Sequence, residues 1–400
     1  MKKILIILVV GFFTSLLASA QTSDSAYTSG GNSEVYYSFK NGVVKTVDNN
    51  NWDLAFEMKG FLSGIHVNEQ AGAQVFVSPF AVADWSNFDT TGMSTWEISR
   101  NSTETWSEGG FNSNISSEYD LGWGQYDINT HSVKGDSVYL LKTRSGSFQK
   151  VYIKSLANSA YTFVYADVDG SNEMTQTIVK GDFPGVNFAY YDFDKDASLN
   201  REPVTTEWDI VFTKYPIGIQ AGPDLLYYPV IGAKINKGYE VSERNGMDVM
   251  DNDTSTLSWN SIVTEIGSDW KDFNGMAYEI IADRAYFVRT ATGSVWKIYF
   301  TDYKGGPSGT CYFTTELVGA TVGIQEFKNN LSIYPNPASE YFTIEQNDQL
   351  ESVSLLDANG RIIRSWAPQG SYSVKGITAG LYYLTTASSK GLSVRPLLVR

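Results

Sequence analysis

The sequence predicts an all-β, mainly antiparallel protein, and three observations predict it. Runs rich in Val, Ile, Tyr and Phe, such as SVYLLKTRSGSFQKVYIK and RAYFVRTATGSVWKIYF, break into two strands around a glycine placed where a tight hairpin needs positive φ. Helical periodicity with caps is hard to find anywhere, so helices should be few and short. Aromatic residues make up 14% of the chain and hydrophobic residues 42%, enough to fill buried cores.

At 400 residues the chain exceeds one ordinary core, and a prior of roughly 150 residues per domain suggests two or three. The formal charge of -14 repels phosphate backbones, which argues against nucleic acid as a partner.

Residues 1–20 read as a secretory signal peptide: Lys2 and Lys3, an apolar run from Ile4 to about Leu17, then Ala18-Ser19-Ala20 before Gln21. That run is shorter than the roughly 20 residues a spanning helix needs, and no later stretch reaches that length, so no transmembrane segment is expected in the mature chain. The single cysteine, Cys311, excludes an internal disulfide; set in the strand-like run GTCYFTTEL, it reads as a buried small hydrophobe.

An internal duplication organises residues 21–322. Ser33–Phe56 aligns with Asn187–Phe212, with a small length difference before the tryptophan. A second block aligns from Trp123 against Trp270 without a gap. In register are Asp136 with Asp283, Tyr139 with Tyr286, Thr143 with Thr290, Gly146 with Gly293, Lys150 with Lys297 and Tyr152 with Tyr299. Two β domains follow, 21–172 and 173–322.

Both copies contain a Trp-Asp pair inside a strand-like run, NWDLAFEMK at 51–59 and EWDIVFTKY at 207–215. One reading makes Asp53 and Asp209 catalytic carboxylates beside an aromatic wall. The other, favoured by the repetition, has tryptophan in the core and the aspartate, on the opposite face of the strand, accepting hydrogen bonds from a turn.

YYSFKNGVV followed by NWDLAF, then WDIVF followed by AYFVRTATGSVWKIYFTDYKG, resembles the HmuY family of secreted haem-binding proteins over about residues 30–320, twice in succession. The resemblance implies a mostly β fold holding haem at the bacterial surface. Haem iron takes one or two axial ligands, usually histidine. The chain has two histidines, His66 in SGIHVNEQ and His131 in INTHSVKG, and these are the candidate haem and metal ligands. Tyr278 takes the place of His131 in the second copy, and Met93, Met247, Met250 and Met276 are substitute ligands.

A calcium site is conceivable where acids alternate, at Asp192, Asp194 and Asp196 or in DVDGSNE at 167–173, although the first lacks the glycine at position six and the glutamate at position twelve of an EF-hand loop. Enzyme readings lack a motif: there is no GxSxG elbow or HExxH pair, two histidines and one cysteine cannot close a four-ligand zinc site, and no carboxylate pair stands out for glycoside hydrolysis. The rival to haem is a surface adhesion, glycan- or protein-binding module of the same fold, with tryptophans such as Trp85, Trp96 and Trp106 stacking on a ligand, or else packing in the core.

After a linker at 323–330, residues 331–400 resemble the type A sorting domain of the type IX (Por) secretion system. Tyr334-Pro335-Asn336-Pro337 opens it, Asp357 to Gly360 and Arg361 mark a hairpin, Gly380-Leu381-Tyr382-Tyr383 starts a late strand, and basic residues end the chain. The prolines suit a lead-in that cannot join a ladder, and alternating runs such as VSLLD suit an Ig-like sandwich. The resemblance implies the type IX machinery as a partner, and passage across the outer membrane of a Bacteroidota-type cell, with the cargo released or attached at the surface. Charge follows this division: residues 331–400 hold six basic and five acidic side chains, residues 21–330 hold 22 and 39.

Overall fold

The computed structural model describes the chain from Gln21 to Ala320, apart from 60–62 and 114, and from Ser332 to Arg400, apart from 346–349, 358–360, 369 and 389–390. The expected signal peptide and linker lie outside the described residues. Contacts divide the chain into one compact unit ending at Gly319 and another from Ala320 to Arg400. The structure is mostly antiparallel sheet, as the sequence predicts; Gly146 and Gly293 take the expected left-handed turn positions, with φ of 91° and 86°.

The first unit contains two β modules of the same plan, but they are not the two sequence copies laid end to end. In one, the strands Met174–Val179, Ala160–Asp167, Phe148–Ala157, Ser137–Lys142, Gln74–Ala81 and Ile98–Ser99 form the main sheet, with Gly124–Asp127 and Ser132–Gly135 as a side hairpin. A smaller sheet runs Ala197–Leu199, Phe188–Asp192, Leu54–Glu57, Ile65–Val67. The other module repeats this order with Thr22–Tyr27, Thr310–Ala320, Ser294–Tyr303, Ala285–Arg289 and Glu240–Arg244, and a small sheet of Gly42–Asp48, Ser33–Ser38, Ile210–Ala221 and Asp224–Ile235.

Each copy has therefore given its leading strands to the other. The hairpin from Ser33 to Asp48 pairs with the Trp-Asp strand of the second copy, Tyr37 opposite Ile210. The hairpin from Phe188 to Leu199 pairs with that of the first, Tyr191 opposite Leu54, in the equivalent register. One module is continuous between Leu54 and Leu199; the other is split around it.

Connection length explains the exchange. Within either small sheet the Trp-Asp strand runs parallel to the second strand of the hairpin, and a parallel connection takes a dozen residues or more. Only five residues separate Asp48 from Leu54, and ten separate Leu199 from Ile210. Neither hairpin can fold back onto the strand that follows it, so each passes to the neighbouring module. The expected boundary at 172/173 consequently falls inside the continuous module.

Each module has its own apolar core, with Trp123 and Trp270 fully buried at corresponding positions. Trp270 stacks on Phe300 with ring centres 3.8 Å apart. Cys311 lies in the split module's core, and burial pushes its thiol up to about 12, so it behaves as the small hydrophobe the sequence suggests.

The second unit has two sheets, Ser332–Tyr334 with Tyr341–Glu345 and Tyr372–Ser373, and Ile362–Trp366 with Leu350–Leu356, Gly380–Ser388 and Gly391–Val399. Phe342, Val353, Leu355, Tyr372 and Leu384 are among the residues of their common core. The Asn336 side chain clips the lead-in to the last strand, donating to Pro396 O at 3.0 Å and accepting from Leu398 N at 2.9 Å. Pro335 and Pro337 flank it outside any ladder. Gly380 opens its strand opposite Val399, and the Tyr382 hydroxyl donates to Thr378 O. The expected hairpin closes with Asp357 N donating to Arg361 O, while Gly360 lies outside the described residues.

Candidate functional site

The Trp-Asp pairs turn out to be the clasp of the exchange. Asp53 is fully buried and accepts from Phe193 N at 3.0 Å, in the hairpin received from the second copy. Asp209 accepts from Phe39 N at 2.6 Å, in the hairpin received from the first. Asp53 further holds Arg144, through its backbone N–H at 2.8 Å and its guanidinium, and Arg144 extends to Asp192 and Asp194. Burial is the largest influence on the Asp53 carboxyl and raises its pKa, against the backbone donors and Arg144. Asp209 has neutral donors, Phe39 N, the Tyr239 hydroxyl at 2.8 Å and Ser38. Neither carboxylate stands in an open cleft.

The tryptophans point the other way, into the seam between the modules. Trp52 meets Tyr190 edge-on and Trp208 meets Tyr36 in the same manner, ring centres 5.0 Å apart in both cases. The Tyr36 and Tyr190 hydroxyls approach to 3.5 Å. Trp106 reaches across the seam and donates from its indole to Ile235 O at 2.8 Å. The seam holds a cavity of about 70 Å³, room for a few waters, lined by aromatic and polar side chains that include the unpartnered Trp208 Nε1 and Gln70 Oε1.

His66 lines that cavity. Its Nε2 is 2.8 Å from Trp106 O, and burial holds its pKa down to about 4, so the ring is neutral at physiological pH. The register makes Lys234 its counterpart: His66 lies opposite Ala55, and Lys234 opposite Val211. His131 lies instead on the exposed turn of the side hairpin, with φ of 50° and Nδ1 2.9 Å from the Tyr126 hydroxyl. The structure does not bring the two histidines to a common site.

The acids proposed for calcium are engaged separately. Asp192 and Asp194 hold Arg144, while Asp196 takes the hydroxyls of Tyr165 and Tyr191 and the Gln176 amide. Among the described residues no group of three His, Cys, Asp or Glu is arranged to hold a metal ion. Trp85 and Trp96 pack in a satellite cluster with Phe76, Phe88 and Leu140, which is the core-packing alternative.

A roomier concavity lies on the split module, where the sequence gave little signal beyond Tyr278. The strand Ile210–Ala221 pairs with Ser33–Ser38 only over residues 210–212, and with Asp224–Ile235 over its whole length. Beyond residue 212 these two form a two-stranded arm ending in the Gly-Pro-Asp turn. Leu225, Leu226, Tyr227 and Tyr228 are exposed near its tip, and Arg100 of the continuous module lies 3.7 Å over the Tyr227 ring. A groove of about 750 Å³ runs between the arm and the hairpin of Lys271–Phe273 with Tyr278–Ile280. Phe273, Tyr278 and Tyr303 form a ladder along it, with centre separations of 5.1 and 4.9 Å, and Tyr228 faces the same space. Lys271 sits over Trp270 and Tyr303 at 3.9 and 4.6 Å from their ring centres.

Among the described residues of the continuous module no comparable groove is found. Its side hairpin puts Tyr126 and His131 where the other has Phe273 and Tyr278, and Gly124 where the other has Lys271. A side chain at Gly124 would meet Lys134 O at 2.4 Å. Volume, aromatic lining and a few convergent polar groups are the marks of a small-ligand site, and within the first unit this groove combines them.

Residues 332–400 match the family described as secretion system C-terminal sorting domain. The chain is thus exported by the type IX route, to the cell surface or beyond, and engages that machinery. No helix among the described residues is long and apolar enough to cross a membrane. No curated protein matches the chain.

Proposed function

We propose that this is an exported binding protein without catalytic activity, and that it takes a ring-shaped ligand in the aromatic groove of the split module. The observation that carries this reading is the difference between two modules of common plan: among the described residues the split module opens a groove, with an added arm and a ladder of rings, where the continuous module does not. Such faces suit the apolar side of a sugar ring, with hydroxyls and backbone carbonyls at the margin for its polar edge. The continuous module then serves as scaffold, holding the arm through Arg100.

The resemblance to HmuY proteins makes haem the second reading, and the groove is also the space large enough for a tetrapyrrole. The histidines do not line it, so iron would have to be met by Tyr228 or Tyr278. Tyr303 is poorly suited, because burial raises its pKa and keeps the phenol protonated.

Titration of the full chain with neutral oligosaccharides and, separately, with haemin tests both. Expected are a change in tryptophan fluorescence with sugar, lost in Phe273→Ala and Tyr278→Ala, and no sharpened Soret band. A Soret band that sharpens and disappears in Tyr278→Phe would replace the sugar reading with haem.

A further inference from the structure

Lys271 is the lysine of the groove hairpin. It lies at the groove, and its ammonium donates to Ile231 O at 2.7 Å and Ser268 O at 3.2 Å. An ammonium has three donors, so one is left for a ligand. Among the described residues no carboxylate lies within ion-pair distance of it. Asp269, two residues away, is turned to Arg284 at 2.7 Å. The buried Lys297 and Lys237 have carboxylates, Glu316 at 3.2 Å and Glu57, while the buried Lys150, away from the groove, donates to Trp85 O at 2.8 Å. In a chain with 44 acidic and 30 basic side chains, an acidic partner for Lys271 would be easy to find, yet the groove presents the ammonium unpaired beside aromatic faces. A buried charge without a counter-ion is costly unless something supplies one.

We propose that the groove selects ring ligands bearing a carboxylate, of the hexuronate class, with Lys271 as the residue that determines this specificity. This rests on the groove being the ligand site. The pyranose ring stacks on the Phe273 and Tyr278 faces while its carboxylate meets the Lys271 ammonium. Burial also lowers the Lys271 pKa to about 8, so the charge that attracts the ligand is present at pH 7 and declines above pH 8.

The test is calorimetric titration of the full chain with a hexuronate oligosaccharide and with a neutral hexose oligosaccharide of the same length. The acidic sugar should bind about tenfold tighter or more, the range of a charge-assisted hydrogen bond. The preference should vanish in Lys271→Met with neutral-sugar binding retained, persist in part in Lys271→Arg, and shrink between pH 7 and 9. Lys271→Gln, checked by thermal melting, guards against a variant that loses the fold. Equal binding of the two sugars, or a preference that survives in Lys271→Met, overturns the assignment of charge while leaving the groove as a sugar site. Binding of neither sugar by the folded chain overturns the groove reading as well.

Discussion

The two modules share a clasp and differ in what they expose. At Asp53 and Asp209 the same aspartate receives the same backbone N–H of an exchanged hairpin, at Phe193 and Phe39, and the Trp-Tyr contact within each module has the same 5.0 Å separation. At the side hairpins the likeness ends: Gly124, Tyr126 and His131 on one side, Lys271, Phe273 and Tyr278 with an added arm on the other. Duplication has kept what the exchange needs and freed one outer face for a ligand.

The largest effect should come from cutting the chain. A segment of residues 49–204 contains every strand of the continuous module and should unfold cooperatively by itself. The sequence copy 21–172 lacks the strands from Met174 to Leu199, and carries an unpaired hairpin at 33–48; it should show no cooperative transition in circular dichroism. Two-state unfolding of 21–172 would argue that the exchange is dispensable.

Next, the two aspartates should not be equivalent. Asp53→Ala removes one partner of a buried ion pair and should cost about 3–5 kcal/mol. Asp209→Ala, which strands only neutral donors, should cost about 1–3 kcal/mol. Denaturant titration of the full chain measures both, and equal losses would mean the Arg144 contacts add nothing.

The indoles offer a finer contrast. Trp52 donates to Asn49 Oδ1 at 3.1 Å, whereas Trp208 Nε1 has no protein acceptor. Trp52→Phe should therefore cost about 1 kcal/mol more than Trp208→Phe in the same titration.

A last contrast concerns pH. Glu202 lies at the seam, in the stretch where the copies differ in length, and burial raises its pKa to about 8. The folded state then holds a proton that the unfolded chain releases near pH 4.5, so this group's contribution is fully present below pH 4.5 and is lost as pH rises to 8. Glu202→Gln should leave stability at pH 4.5 nearly unchanged and raise it by about 1–3 kcal/mol at pH 8. A variant whose melting temperature follows the wild type across that range would place the titration elsewhere.

His66 shows how little a residue type says about its use. As a histidine in a haem-protein resemblance it is a candidate ligand; on the strand Ile65–Val67 it is a neutral ring in a cavity too small for a tetrapyrrole, matched by a lysine on the other side. The exchange was legible in principle, since five residues between Asp48 and Leu54 cannot make a parallel crossover. The groove was less so: the turn in AGPD marks a hairpin, but nothing local says that no third strand joins its flanks beyond residue 212 or that Lys271 ends without a carboxylate.

The sequence by itself determined the β class, the duplication, the sorting module and the aspartate's role as a hydrogen-bond acceptor, because periodicity, turn chemistry and repeated motifs are properties of neighbours along the chain. Only the tertiary structure decided which copy each hairpin joins, where the modules divide and which face opens as a groove. A repeat has the same pattern wherever it is cut, and burial and charge pairing depend on residues hundreds of positions apart.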